Sequence, residues 1–209
     1  MKLNIGSGYI GHVEEMRDWT GMDFAYEPDK PEWQKGEYIQ GYIKHDMTKF
    51  LYPLGDESVD CIFASHIFEH FTYDQTLPVM RECLRILKKG NPIRIICPDP
   101  RIFVRNWQAR NEAFVLGCYG QQNWDRWDYG NLLNIGFTDM FFHDHYDHNL
   151  CSSIDFLMIV MIRAGFNKVV EVTSANTLFP EYFGKKEDDG KESIFGNRPI
   201  MSYYLEGVK

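Results

Sequence analysis

Three histidines and two aspartates fall within six positions at residues 143–148, HDHYDH. Imidazole and carboxylate side chains at this density can ligate a metal ion or pass protons. The spacing H-x-H-x-D-H also suits a dinuclear zinc site, but such a site draws further histidines from later in the chain. The seven histidines stand at 12, 45, 66, 70, 143, 145 and 148, and none follows 148. The dinuclear reading therefore lacks its downstream ligands. A single ion held by two or three of these side chains is the alternative; the expectation is that no metal is bound.

A second group lies near the N-terminus. LNIGSG, residues 3–8, reads as a buried strand running into a turn, where Gly6 and Gly8 let the backbone bend tightly and approach a ligand. Gly11 completes G-x-G-x-x-G, the dinucleotide pattern. Asp23, which ends the next strand, follows Gly8 by only fifteen residues. That leaves little room for the full helix whose N-terminus would hold a pyrophosphate. Asp46 ends a third strand. Carboxylates at two strand ends can accept hydrogen bonds from ribose hydroxyls and from the exocyclic amine of adenine. Such acceptors without a phosphate cradle favour a nucleoside lacking phosphates over a dinucleotide.

Short apolar runs alternating with helical patterns must position these residues, which is the mark of an α/β fold. Strands are expected at 2–5, 20–24, 41–47, 59–66 and 92–99. The clearest helix is 73–90, with Leu77, Met80, Leu84 and Leu87 at three- and four-residue steps, Pro78 in its first turn, and Gly90 as its stop after Lys88 and Lys89. A buried helix is expected at 152–166, with Ser152 and Asp155 spaced as a capping box. Segments 168–174 and 200–209 read as a final antiparallel hairpin at the sheet edge, with a polar loop at 183–193 between them. Residues 101–150 lack a clean period and are read as an aromatic-rich lid inserted in a single domain spanning 1–209. Asp60 reads as a strand-start residue, Glu69 and His70 as a brace for the loop before the helix, and Cys97 as a small core residue.

The segments LNIGSG, GMDF, HDMTKFLYPLGDESVDCIFASHIFEHF, MRECLRILKKGNPIRIICPDP and MIRAGFNKVVEV resemble the class I S-adenosylmethionine-dependent methyltransferases, especially their small type-11-like group. The specific part is D-x-S-V-D-x-I-x-x-S-H-x-x-E-H followed by LRILKKG. The resemblance covers residues 1–100 and, more loosely, 150–209, and it omits 101–147. It implies a Rossmann-like seven-stranded, mostly parallel sheet of order 3-2-1-4-5-7-6, its last strand antiparallel. It also implies a cofactor, S-adenosylmethionine, over the C-terminal strand ends. Gly6, Ser7 and Gly8 would lie against its methionine part, Asp23 at the ribose, Asp46 and Met47 at the adenine, and Ser65 and His66 beside the sulfonium, with Asn4 and Phe24 also among the cofactor-binding residues. Asn4 stands where many of that group have an acidic residue, and Tyr9 and Ile10 where a third glycine often sits.

By the same resemblance, a histidine segment before the AGF-ending helix borders the active site, which aligns with His148 or, alternatively, His145. Either could take a proton from an acceptor hydroxyl; His66 and Asp99 are the other candidates for that role. The competing reading is that the cluster only anchors the lid. Trp107, Trp124, Trp127, Tyr129, Phe141 and Phe142 suit a sugar ring or planar acceptor, and equally suit core packing. The function implied is methyl transfer to a small-molecule or glycan-type acceptor, at oxygen. The rivals are a non-catalytic binder of the same cofactor and an NAD-linked oxidoreductase.

Bulk properties bound the partners. Apolar residues make up 44% of 209 and net charge is −8, so the chain can bury a core and shows no cationic stretch for gripping a phosphate backbone. No nucleic acid or membrane partner is expected. The longest apolar run, IDFLMIVMI at 154–162, is too short to cross a bilayer. Five scattered cysteines without C-x-x-C fit reduced thiols, hence a cytoplasmic location.

Overall fold

The computed structural model describes residues 1–8, 16, 18–24, 41–114, 149, 153–184 and 201–209. Seven strands form one sheet: β1 (Lys2–Ile5), β2 (Trp19–Asp23), β3 (Gly41–Lys44), β4 (Cys61–Ser65), β5 (Pro92–Pro98), β6 (Asn167–Val172) and β7 (Ser202–Val208). Their order is β3-β2-β1-β4-β5-β7-β6, as the resemblance implied. β1 to β5 run parallel, and β7 is antiparallel to both neighbours. β4 and β5 are almost wholly buried, as near-continuous apolar strands covered on both faces should be.

On one face, α1 (Tyr73–Ile86) and α3 (Ile154–Ala164) pack against each other and the sheet. This core contains Leu3, Ile5, Ile62, Ala64, Met80, Ile95, Leu157 and Leu205. On the other face, Met16, Trp19, Cys61, Phe63, Ile96, Phe183 and Tyr204 form a second cluster. The alternation of β5 and β7 explains the division: Ile95 and Leu205 face one way, Ile96 and Tyr204 the other. That second face also buries an ion pair. Arg94 and Glu206 are direct cross-strand partners on β5 and β7, 2.5 Å apart. Glu206 further accepts from Thr177 Oγ1 and Leu178 N, so the buried charges are satisfied on several sides.

Three local expectations need correction. The first helix ends at Ile86 rather than at Gly90, because Leu87 turns out to bridge Val59 in parallel pairing. Lys88 is therefore no helix end; its Nζ donates to Asp60 Oδ1 at 2.5 Å. Pro78 lies in the second turn of α1, since the helix starts at Tyr73, and the buried stripe is centred on Thr76, Val79, Met80, Cys83 and Ile86, with Leu77 and Leu84 only partly buried. The cap of α3 is Ser153, whose hydroxyl accepts from Phe156 N at 3.2 Å, one residue later than expected. β6 and β7 form the antiparallel hairpin expected at the sheet edge, with β6 outermost and β7, fully buried over its first six residues, hydrogen-bonded between β5 and β6.

Candidate functional site at the C-terminal strand ends

The sheet order reverses between β1 and β4, the switch point at which open α/β sheets bind ligands. Ile5 is level with both Met22 and Ala64, so the chain leaves the sheet at Gly6 alongside Asp23 and Ser65. Gly6 N donates to Met22 O at 2.9 Å. Its φ is +63°, and a Cβ there would come within 2.6 Å of Ile67. Only glycine permits both the left-handed backbone and the close approach of the loop after β4.

Gly8 has φ +48° and open space where a Cβ would stand. Its amide donates to Asp23 Oδ2 at 2.9 Å, tying the turn after β1 to the end of β2. Asp23 is buried, while Phe24 beside it is exposed. Ser7 is fully buried, and its hydroxyl has no hydrogen-bond partner among the described residues. Asn4 lies within β1, with Nδ2 4.0 Å from Met16 Sδ, inside the sheet rather than at its edge.

The loop after β3 holds Asp46 and Met47. Asp46 Oδ1 accepts from Thr48 N at 2.9 Å and Thr48 Oγ1 at 2.7 Å, and the Thr48 hydroxyl holds the carboxyl below its ordinary range. Met47 is buried, its carbonyl accepting from Tyr52 OH. Glu82 and Arg85 of α1 clamp the rest of this loop. Glu82 Oε2 accepts from Tyr52 N at 2.8 Å, and Arg85 donates to Leu54 O and to Asp56 Oδ1. Arg85 also pairs with Glu82 and, against the opposing effect of burial, holds that carboxyl below its usual range.

After β4, His66 takes φ +53°, uncommon for a residue with a side chain. Its N–H donates to Ile96 O at 2.9 Å, prolonging the β4–β5 ladder by one residue beyond Ser65. Its ring spans two groups: Nδ1 lies 3.2 Å from Glu69 Oε1, and Nε2 lies 3.1 Å from Ser202 Oγ. Glu69 occupies the 3-10 turn Phe68–His70 and is 3% exposed. The loop-brace reading of Glu69 and His70 holds for their carbonyls, which accept from Asn149 N and Asn149 Nδ2, both at 2.8 Å. It missed the Glu69 carboxylate, which turns inward to His66. Ser202 was not singled out at all: it is 136 residues from His66, and no local pattern joins them.

Asp99 follows β5 and caps α2 (Pro100–Gln108), accepting from Arg101 N. Both its oxygens also accept from the Arg101 guanidinium, at 2.9 and 2.8 Å. His145 and His148, and Trp124, Trp127, Tyr129, Phe141 and Phe142, lie outside the described residues. Trp107 is on α2 and partly exposed. Among the described residues no group of three or more His, Cys, Asp and Glu could hold a metal ion, and no helix is long and apolar enough to cross a membrane.

Comparison with known proteins agrees with this architecture. Residues 3–94 match the family described as methyltransferase domain. No curated protein matches the chain. Among solved structures, the chain is similar to a SAM-dependent methyltransferase from Archaeoglobus fulgidus, with 16% identity and a TM-score of 0.59, covering 99% of this chain and 85% of that one. A SAM-dependent methyltransferase from Thermotoga maritima is 18% identical with a TM-score of 0.54, covering 100% and 81%. PigF, solved with SAH, is 16% identical with a TM-score of 0.54, covering 99% and 55%. The methyltransferase domain matched over residues 3–94 and the seven-stranded sheet that completes it give the chain the fold of the SAM-dependent methyltransferases it is similar to.

Proposed function

We propose that the chain transfers a methyl group from S-adenosylmethionine to a small-molecule or glycan-type acceptor, at oxygen. The observation that carries the cofactor half is the bond from Gly8 N to Asp23 Oδ2 beside open space at the sheet's switch point. The residues present suit that cofactor. A buried carboxylate at the end of β2 fits ribose hydroxyls. The left-handed Gly8 leaves room for the methionine part, and the unpartnered Ser7 hydroxyl lies on the same turn. Asp46 and Met47 at the end of β3 are proposed for the adenine, and Phe24, Ser65 and Asn4 for the surroundings of the bound molecule.

The cofactor supplies an activated methyl group on a sulfonium. The protein's part is alignment of the acceptor oxygen with that group and removal of the acceptor's proton. We assign proton removal to a histidine, His66, His145 or His148, with Asp99 fixing the chain at the neighbouring strand end. Residues 101–150 are proposed as the acceptor lid of a single domain, with a small or glycan-type acceptor against its aromatic side chains. A cytoplasmic location completes the proposal; the described cysteines Cys61, Cys83 and Cys97, all free and buried, support it.

The test is transfer of isotopically labelled methyl from S-adenosylmethionine to a panel of hydroxylated small molecules and oligosaccharides, with the product's linkage read by mass spectrometry. An O-methylated product is expected. Methylation only at nitrogen or carbon would refute the oxygen assignment, and binding without any turnover would favour the non-catalytic reading.

A further inference from the structure

Glu69, His66 and Ser202 form a chain of three polar groups at the strand ends, with Glu69 and Ser202 buried and His66 partly exposed between them. The contacts run from Glu69 Oε1 to His66 Nδ1, 3.2 Å, and from His66 Nε2 to Ser202 Oγ, 3.1 Å. Ser202 is 5% exposed and starts β7, level with Pro98 at the end of β5. From these contacts we infer that Glu69 and Ser202 form a proton relay with His66: Glu69 is a positioning residue that keeps a proton on Nδ1, and the Ser202 hydroxyl carries the acceptor's proton to Nε2. The inference rests on the proposed methyl transfer to oxygen for the relay's use, but its geometry is independent of that reading.

The proton positions follow from donor and acceptor inventory. An ionised carboxylate only accepts, so it attracts Nδ1 only when that nitrogen bears a proton. In the neutral ring Nε2 is then an acceptor, and the Ser202 hydroxyl must donate to it. That leaves lone pairs on Ser202 Oγ free to receive a proton from outside. Neither Glu69 oxygen has an aligned hydrogen bond among the described residues. A buried carboxylate so placed is costly unless a partner develops charge beside it. Burial pushes the Glu69 carboxyl up, but the adjacent His66 ring more than offsets it and holds the group below its usual range. Cys97 and His70 are the other titratable groups near the Glu69 carboxylate; burial, then the carboxylate, keeps the Cys97 thiol protonated. The left-handed backbone of His66 is a second, separate sign, since such outliers persist where the surroundings over-determine them.

The step balances. The acceptor oxygen forms a bond to the methyl carbon as the sulfur–carbon bond breaks. The acceptor's proton passes to Ser202 Oγ while the Ser202 proton passes to His66 Nε2. The positive charge lost at sulfur reappears on the imidazolium, next to Glu69, and the ring later releases its extra proton to water.

The experiment is long-range proton–nitrogen NMR of the full chain labelled in its histidine nitrogens, with and without S-adenosylhomocysteine. His66 is assigned by the signal missing in His66→Asn. The neutral wild-type ring should carry its proton on Nδ1. Glu69→Gln should reduce that preference, and Ser202→Ala should shift the Nε2 signal while leaving the proton on Nδ1. A neutral ring protonated on Nε2 in the wild type would overturn the relay, whether or not either variant folds. Failure of S-adenosylhomocysteine to bind would count against the cofactor reading instead, and leave the tautomer measurement to decide the relay. With an acceptor from the panel, Ser202→Ala should lower kcat by about 10²-fold or more with little change in KM for the cofactor. An unchanged kcat would also overturn it.

Discussion

Gly8 donates its backbone N–H to Asp23 Oδ2 over 2.9 Å, joining the turn after β1 to the carboxylate at the end of β2. One bond thus sets both the shape of the turn and the orientation of the acid. Asp23→Ala removes a charge-assisted acceptor, and should weaken S-adenosylhomocysteine binding by roughly 1.5–3 kcal/mol. Calorimetry on the folded variant measures it. An unchanged affinity would remove Asp23 from the ribose site.

Gly8→Ala separates strain from ligand contact. The added methyl meets nothing in the free protein, so only the left-handed backbone should matter, about 1–2 kcal/mol by chemical denaturation. If the open space is where the methionine part lies, affinity should fall by a further factor of about ten, or about 1.4 kcal/mol. Equal affinity for variant and wild type would show that this space is not used.

The Glu82–Arg85 pair should give the fold a defined acid sensitivity. Glu82 has its carboxyl lowered in the folded chain, chiefly by Arg85. A depressed folded pKa contributes stability above the unfolded value, about 4.3, and that contribution is lost as pH falls through the folded value. Glu82→Gln should therefore cost about 1–3 kcal/mol at neutral pH, with the difference from wild type shrinking below pH ~4. A difference that stays constant into acid would mean that the carboxylate's charge is not the stabilising feature.

Removal of divalent metal should leave the melting temperature and S-adenosylhomocysteine affinity unchanged, because His143, His145 and His148 are assigned to the acceptor side. Elemental analysis before and after chelation, with both readouts, is the check. Stoichiometric zinc whose loss lowers stability or activity would reverse the assignment.

Much of this arrangement was legible because it is local. The apolar run before Gly6 and Gly8 marks a strand and its turn, and Asp23 and Asp46 follow comparable runs at the same edge. Elements whose ends depend on tertiary partners were not legible. Leu87 has the periodicity of a helix residue, yet pairing with Val59 draws it into the sheet region. Arg94 within an apolar strand gives no hint of Glu206, which is its partner only through β5–β7 register. The His66–Ser202 contact is hidden for the same reason: it joins residues 136 apart.

The central claim is that the turn at Gly6–Gly8 and the carboxylate of Asp23 serve an adenosyl cofactor without phosphates. Titration calorimetry of the full chain with S-adenosylhomocysteine and, separately, with NAD tests it most directly. The account predicts one S-adenosylhomocysteine per chain, with a melting temperature that rises with its concentration by mass action, and no heat or stabilisation from NAD. Binding of NAD with no response to S-adenosylhomocysteine would contradict it.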